Sequence, residues 1–493
     1  MRKHILKKVL LLSLVASSLS ALEHTVSLDE AIAIALQNNN KLKVSQTAID
    51  ISNTMYNQAM SAHYPTLDVG ISAMRLDEPT TFDMRGTTTI DNSQTIAMYQ
   101  GLSAAAQADN GNVANNLSST YAGIAAATPA TSELPIEMDV QMTGRDTVLS
   151  QVNATLPLYT GGKITAIVEQ ASIGKKIAHE AKRRTQNEVI FDVKRYYYGV
   201  VLTKQLRKLS DDTMSRMGFI RDLTSKLYQG GSMNVKKTDY LRTKLSVNLI
   251  ETLHEDIVQS ELMAKSALLF AMGLPWTDSV DVTQESIKEP KMDKTLDSLV
   301  NSAYHFNPDY TSLKLAIDVY GAKIDEAQSD YLPSVGLMAS AQNIYNDYEY
   351  GLVNDTNKNS WTIGVGVEWS LFNGMRTTNQ VEQSRLEKLK LEQQELLLEE
   401  GIALQVKQAF LEMKSTYKKY GILSEATQTA QESRDLNTRA YQEDMVTTKD
   451  VLESQLFESY TTAAYYKSSH DHALARAQVD FVVGTALEES LTK

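Results

Sequence analysis

Residues Trp361 to Arg376 read WTIGVGVEWSLFNGMR. Side chains alternate across an extended chain, so Trp361, Ile363, Val365, Val367, Trp369 and Leu371 share one face and Thr362, Gly364, Gly366, Glu368 and Ser370 the other. Ten or more residues of such alternation suit a strand crossing an outer-membrane type bilayer with its apolar side in lipid. A sheet packed on a soluble core alternates in the same way, so the surrounding sequence has to decide. The stretch then turns through Asn373 and Gly374 into a helical pattern, and no proline interrupts the chain from Gly374 to Ala440.

Within that helical run, Leu389, Leu396, Ala403, Phe410 and Tyr417 recur at seven-residue steps beside a second row of Leu397, Leu404 and Leu411. A helix of roughly 65 residues rising about 1.5 Å each is about 100 Å long. Two adjacent apolar rows imply two neighbours, as in a tube of helices, where a two-stranded coiled coil needs only a narrow seam. An earlier run from Lys163 to about Leu227 has the same character, with Ile173, Ile177, Ala181, Val189, Val193, Tyr197 and Val201 as its candidates for burial.

The two runs belong to an internal repeat. SLDEAIAIALQNNN (Ser27 to Asn40) aligns with TLDSLVNSAYHFNP (Thr295 to Pro308) at an offset of 268, and the register holds without a gap as far as Pro65 against Pro333. Further on the offset is 213, which pairs LYTGGK (Leu158 to Lys163) with LFNGMR (Leu371 to Arg376) and Tyr228-Gln229 with Tyr441-Gln442. The change of offset places an insertion of about 55 residues between Pro65 and Val152, and its polar Gly, Ala, Ser and Asn composition reads as a surface loop. Three further strands follow the alternation rule. Leu67, Val69, Ile71 and Ala73 oppose Asp68, Gly70 and Ser72; Val152, Ala154, Leu156 and Leu158 oppose Gln151, Asn153 and Thr155; Val335, Leu337, Ala339 and Ala341 oppose Ser334, Gly336, Ser340 and Gln342. Asp68 and Glu368 thereby become candidates for the water-filled side.

The expected organisation is a signal peptide over 1–20, a first repeat over 21–285 and a second over 286–493. The first repeat has strands near 66–76 and 148–158, long helices near 163–228 and 233–272, and the inserted loop near 77–147. The second has strands near 333–345 and 360–372 and long helices near 374–440 and 446–484. The leader is read from Arg2, Lys3, Lys7 and Lys8 before an apolar run from Val9 to Ala16. Its four basic and no acidic residues mean that removing it takes the formal charge from -12 to -16. Such a charge argues against nucleic acid or an anionic membrane surface as partner. With no cysteine there is no disulfide, thiolate metal site or lipidated N-terminus. No segment after the leader offers the ~18 apolar residues of a membrane helix, so membrane entry falls to the strands.

No catalytic constellation, metal site or cofactor site emerges. His470 and His472 are two apart and do not share a helix face. Gly161-Gly162-Lys163 lacks the leading glycine and the Ser or Thr of a phosphate loop, and its repeat partner marks a strand-to-helix turn. Trp361 and Trp369, Tyr348 and Tyr350, and Tyr159 with Phe372 are candidates for interfacial aromatic girdles. Four strands cannot close a barrel, and an open edge in lipid strands backbone groups at several kcal/mol each. The chain must combine with copies of itself into 8, 12 or 16 strands, and eight leave no pore.

In its repeat, in AMSAHYP (Ala59 to Pro65) and AQSDYLP (Ala327 to Pro333), in PLYTGG and SLFNG at the strand-to-helix joints, and in Tyr441 with KDVLES, the sequence resembles the TolC family. The resemblance spans the whole mature chain. It implies a homotrimer with a 12-stranded barrel in the outer membrane of a Gram-negative cell, continued by a helical barrel through the periplasm. It further implies docking to a periplasmic adaptor and an inner-membrane transporter, as the passive exit duct of a tripartite efflux or type I secretion system for small molecules or polypeptides. A diffusion porin would share the strands without the long helices; a periplasmic coiled-coil scaffold would share the helices without the strands.

The resemblance also assigns residues. Asp450 and Glu453 are three apart on one helix face, which is ordinarily a solvated surface, but they match two acidic positions that face the duct axis at the periplasmic entrance. Six carboxylates from three chains in one ring would raise one another's pKa and attract cations. Tyr441 on one tip and Thr238 with Asp239 on the other match the contacts that hold the entrance shut. The arginine of that latch is Val446 here, and the usual glycine is Asp444, which leaves Arg439 and Lys449 as substitutes.

Overall fold

In the computed structural model, residues 23–84, 138–287 and 294–487 are described, with isolated positions at 98, 102, 117, 119 and 120. The expected signal peptide and most of the insertion lie outside the described residues. The elements, in order, are β1 (Glu23–Val26), α1 (Leu28–Asn38), α2 (Asn40–Ser61), β2 (Thr66–Arg75), β3 (Thr81–Met84), β4 (Met138–Gln141), β5 (Asp146–Tyr159), α3 (Lys163–Gln229), α4 (Lys237–Met272), β6 (Ser279–Val282), α5 (Leu296–Phe306), α6 (Pro308–Ser329), β7 (Ser334–Asn346), β8 (Asn359–Glu368), α7 (Arg376–Gln442) and α8 (Thr448–Val483). Corresponding helices agree in length: α1 and α5 have 11 residues, α2 and α6 have 22, α3 and α7 have 67, and α4 and α8 have 36. No described helix is long and apolar enough to cross a membrane.

The chain forms two compact units. One comprises residues 55–171 and 320–386 and contains an antiparallel sheet of order β2-β5-β7-β8. Its register carries the alternating pattern across all four strands. Leu67 faces Ala154, Ala154 faces Ala339, and Ala339 faces Ile363; one residue along, Asp68, Asn153, Ser340 and Thr362 are opposed in the same way. One face is therefore apolar and one polar, and a one-residue slip of any strand would mix them. The apolar face stands exposed, with Leu67 at 70%, Ile71 at 74% and Trp361 at 75%. The sheet is open at β2 and β8.

Strand β8 stops at Glu368, four residues short of the expected end. Its partner β7 begins at Ser334, opposite Glu368, so residues 369–372 have no strand beside them within this chain. Trp369 instead donates from Nε1 to the Tyr331 carbonyl at 3.0 Å. The ends of the insertion differ from a featureless loop, because β3 and β4 pair from Thr81↔Gln141 to Met84↔Met138. Four-residue strands are too short for alternation to reveal them.

The other unit comprises residues 1–54, 172–319 and 387–493. Its larger core gathers Val26 and Val282 from the parallel pair β1-β6, Ile32 and Ala35 from α1, Val189, Val193, Tyr197 and Val201 from α3, and Leu268 and Met272 from α4. Of the α3 candidates, Ile173 is also buried, Ile177 is half-buried and Ala181 is exposed. A second core joins Leu299 and Ala303 of α5 to Ile402, Val406, Ala409 and Met413 of α7 and Val479 and Val483 of α8. Of the expected α7 rows, Phe410 packs against this core, whereas Leu396, Leu397, Leu404 and Leu411 are 53–69% exposed. Helix α7 thus carries one apolar stripe used within the chain and another left over.

Both long hairpins end in the same clasp. Gly273 and Gly484 take left-handed conformations (φ 71° and 88°) and close α4 and α8. The sequence marks them as helix punctuation, and packing adds a second constraint. A Cβ on Gly273 would lie 2.6 Å from the Asn38 carbonyl, and one on Gly484 would lie 2.4 Å from the Phe306 carbonyl. Asn39 Nδ2 donates to the Ala271 carbonyl at 2.7 Å, and Asn307 Nδ2 donates to the Val482 carbonyl at 3.0 Å. These side chains satisfy carbonyls that the last helical turn leaves open.

Candidate functional site at the helical tips

The tips are the links 230–236, between α3 and α4, and 443–447, between α7 and α8. Each opens with a left-handed residue, Gly231 (φ 79°) or Asp444 (φ 54°), and these positions differ by the repeat offset of 213. Aspartate tolerates this conformation better than most side chains, and Asp444 gains a partner there, since its carboxylate accepts from Asn234 Nδ2 of the other tip at 3.0 Å. Ser232 N donates to the Leu227 carbonyl and Met445 N to the Ala440 carbonyl, the same closing bond on both helices.

Beneath the links lies an apolar knot of Met217, Ile220, Val247, Tyr441, Val451 and Leu452, with Val446 packed against it. That packing explains the valine where the resemblance expects arginine: the position faces the knot. Tyr441 is 1% exposed, and its hydroxyl bonds Thr224 Oγ1 at 2.8 Å and Thr448 Oγ1 at 3.0 Å. The structure does not bring it to Thr238 or Asp239. Thr238 is exposed, and the Asp239 carboxylate turns back to accept from Lys236 N at 2.9 Å.

Asp450 does the same on the second tip, accepting from Thr447 N at 2.9 Å and Thr447 Oγ1 at 2.6 Å while its own N–H donates back to Thr447 Oγ1 at 3.3 Å. This is a reciprocal N-terminal cap. The hydrogen bonds from Thr447 hold the Asp450 carboxyl below the usual carboxylate range. A lowered folded-state pKa stabilises above the unfolded value and is lost as pH falls through the folded one. Amides of the first α8 turn are thus expected to exchange at a constant protection between pH 7 and pH 5 and to lose protection below about pH 4. A difference between wild type and Asp450→Asn that is full at pH 6 and shrinks as the pH falls below about 4 is the expected pattern; a difference that does not change with pH contradicts it. Glu453 is exposed beside Asp450, and Lys449 Nζ stands 3.6 Å from its carboxylate. Lys449 therefore offsets one of the two acids rather than bridging the tips, and Arg439 is exposed.

One group had no signal in the sequence. Glu458 of α8 is 2% exposed and receives Arg216 of α3 at 2.7 Å and Arg434 of α7 at 3.2 Å. Arg216 Nε also donates to Gln455 Oε1 at 3.0 Å, and Gln455 Nε2 donates to Thr438 Oγ1 at 3.0 Å. Three helices are tied at one buried carboxylate. In the sheet unit, Asp68 and Glu368 are exposed on the polar face at opposite edges, facing Asn153 and Ser334 respectively.

A sheet with one lipid-compatible face and a pair of 67-residue helices in the same chain define a channel subunit of outer-membrane type. The chain belongs to the outer membrane efflux protein family, whose sequence model matches residues 31–273 and 299–485. That family is one of channels, not enzymes, and its place is the outer membrane. Among curated proteins, the chain is 20% identical over 269 residues to the probable efflux pump outer membrane protein TtgC and to the antibiotic efflux pump outer membrane protein ArpC, both of Pseudomonas putida. Those alignments cover 53% of this chain and 54% of each relative, so the chain spans about half the length of the curated relatives it matches. Among solved structures, it resembles the CmeC outer membrane channel of Campylobacter jejuni (TM-score 0.69, 13% identity, 93% of this chain and 86% of that one). It also resembles the VceC outer membrane protein of Vibrio cholerae (TM-score 0.64, 15% identity, 93% of this chain and 96% of that one). Likeness at this identity concerns the fold.

Proposed function

We propose that three copies of this chain form a 12-stranded barrel and a helical duct, the passive exit of a tripartite efflux system for small molecules. A periplasmic adaptor and an inner-membrane transporter supply the drive. The observation that carries this reading is the open sheet: four paired strands with exposed apolar side chains on one face and two unpaired edges cannot rest in lipid alone. Three such sheets give a lumen wider than side chains fill. The name of the relative ArpC, an antibiotic efflux pump outer membrane protein, supports the small-molecule cargo. The matched helix lengths support a duplicated unit, divided at residues 285 and 286.

On this reading Asp450 and Glu453 line the periplasmic entrance, and Asp68 and Glu368 line the barrel lumen. Thr238, Asp239 and Tyr441 belong to the closing tips, with Tyr441 acting through the apolar knot beneath them. Purified protein is expected to carry three chains per detergent particle and to conduct in a planar bilayer in small, cation-selective steps. Wide, unselective conductance would favour a porin. Absence from the membrane fraction would favour a periplasmic scaffold.

A further inference from the structure

The two faces of the sheet exchange character near its outer end, the end remote from the helices. On the polar face, Asp68, Asn153, Ser340 and Thr362 form one row across the strands, and Gly70, Gln151, Gln342 and Ser360 form the next. The row after that breaks the pattern, because Ser72 lies opposite Leu149 and Leu149 lies opposite Ile344. Met74 follows one row further along β2, diagonal to Leu149. At the same level the other face turns polar: Ser150 lies opposite Asn343, Asn343 Nδ2 donates to Asn359 Oδ1 at 2.7 Å, and Arg75 Nε lies 3.4 Å from Asp146. The last row that is apolar on all four strands is that of Val69, Val152, Ala341 and Trp361.

We propose that Leu149, Ile344 and Met74 form an apolar collar inside the outer mouth of the channel, where an organic cation with an apolar body binds on its way out. The proposal rests on the assembly reading above, which turns the polar face of each sheet towards a water-filled lumen. Leu149 and Ile344 are half-buried in the single chain and Met74 is exposed, so all three remain within reach of a ligand. Polar pairs bracket them on both sides, Gln151 with Gln342 below and Thr147 with Asn346 above. Asn346 is buried and fixes the strands at this level, since its Oδ1 accepts from Gly144 N at 2.7 Å and its Nδ2 donates to Thr147 Oγ1 at 2.7 Å. Apolar walls with a few placed polar groups at the rim are the usual make-up of a small-molecule site.

The charge of the occupant follows from the face it meets. Asp68 and Glu368 are the charged residues that the four strands place on the polar side, and both are acidic. Lys358, whose carbonyl accepts from Ile344 N at 2.8 Å, is held by Asp355. A lumen of that sign concentrates cations and depletes anions. A small hydrated ion gains nothing from Leu149 and Ile344, whereas a cation with aromatic or aliphatic substituents removes their apolar surface, and its own, from water. Met338 is the other large apolar side chain on this face, but its row is otherwise Thr66, Thr155 and Gly364, so it makes no second collar.

Block of single-channel current in a planar bilayer tests the collar, with tetraphenylphosphonium or tetramethylammonium added on the loop side. The two ions carry the same charge and differ in apolar body. Tetraphenylphosphonium is expected to half-block wild type at a concentration at least about ten-fold below that of tetramethylammonium. Leu149→Ser with Ile344→Ser should raise that concentration at least about five-fold, and Gln151→Leu with Gln342→Leu, which adds an apolar row beneath the collar, should lower it. Half-block unchanged in both variants, or equal for both ions in wild type, overturns the collar while leaving the channel reading intact. If the serine pair yields no channels, an unaltered half-block in the leucine pair is enough to overturn it. Wild-type protein that forms no channels overturns the assembly reading and the collar with it.

Discussion

Replacing Glu458 with glutamine is expected to loosen the helical tips by roughly 3 kcal/mol, because it leaves two arginines facing a buried amide in place of their shared carboxylate. Glu458 is 2% exposed, and the side chains of Arg216 and Arg434 are 20% and 18% exposed. Water reaches the arginines in part, which puts the estimate at the lower end for a broken buried pair. Helices α3, α7 and α8 meet at this carboxylate, so the effect should fall on their tip segments and leave the sheet unchanged. Hydrogen exchange of amides in 213–229 and 448–462 is the measurement, and about a hundred-fold faster exchange is the expected result. Arg216→Met and Arg434→Leu added to Glu458→Met should restore most of the protection, since an apolar trio can replace a buried ionic one. Unchanged exchange in Glu458→Gln would mean that the apolar knot around Tyr441 holds the tips without help from charge.

The second large effect concerns the entrance. Asp450→Ala with Glu453→Ala should abolish most of the cation selectivity of the single channel and raise the concentration of a divalent cation needed for half-block by at least about ten-fold, since close like charges are what draws such ions. Lys449 gives the experiment its sign. It stands 3.6 Å from Glu453, so the trimer proposed above would present six acids and three lysines there. Lys449→Ala should move block to lower cation concentration, opposite to the double variant. If Lys449→Ala and the double variant both leave block unaltered, these residues lie on a solvated face outside the conduction path.

Much of the architecture was legible because its signals are local. The faces of β5, β7 and β8 follow from alternation over ten residues, and the ends of the long helices fall within a few residues of glycine or of a Thr-x-x-Asp cap. The repeat offsets extended these readings from one half of the chain to the other. The tip was legible only in part. Asp450 announces a cap as readily as a selectivity ring, and the structure shows that it makes the cap. Nothing in the sequence around Tyr441 signals that its hydroxyl is buried between Thr224 and Thr448. The Arg216, Arg434 and Glu458 cluster had no local signature, because an ion pair between positions 242 residues apart leaves no periodic trace. The end of β8 departs from the sequence pattern for a different reason: the alternation persists to Leu371, but a strand extends only as far as something lies beside it.

The free edges of β2 and β8 have a consequence for the chain before it reaches its membrane. TLDVGISAMR and NSWTIGVGVE contain no proline and no lysine, the usual guards against stray strand pairing. On the assembly proposed above, an edge that accepts its own opposite edge would accept it wherever two copies meet, and in water that meeting would also bring bare apolar faces together. Polymerisation in transit and closure into a ring draw on the same complementarity, and only the order of events separates them. Delivery at low local concentration, with the edges held apart until lipid is at hand, is therefore as much a requirement of this sequence as its fold.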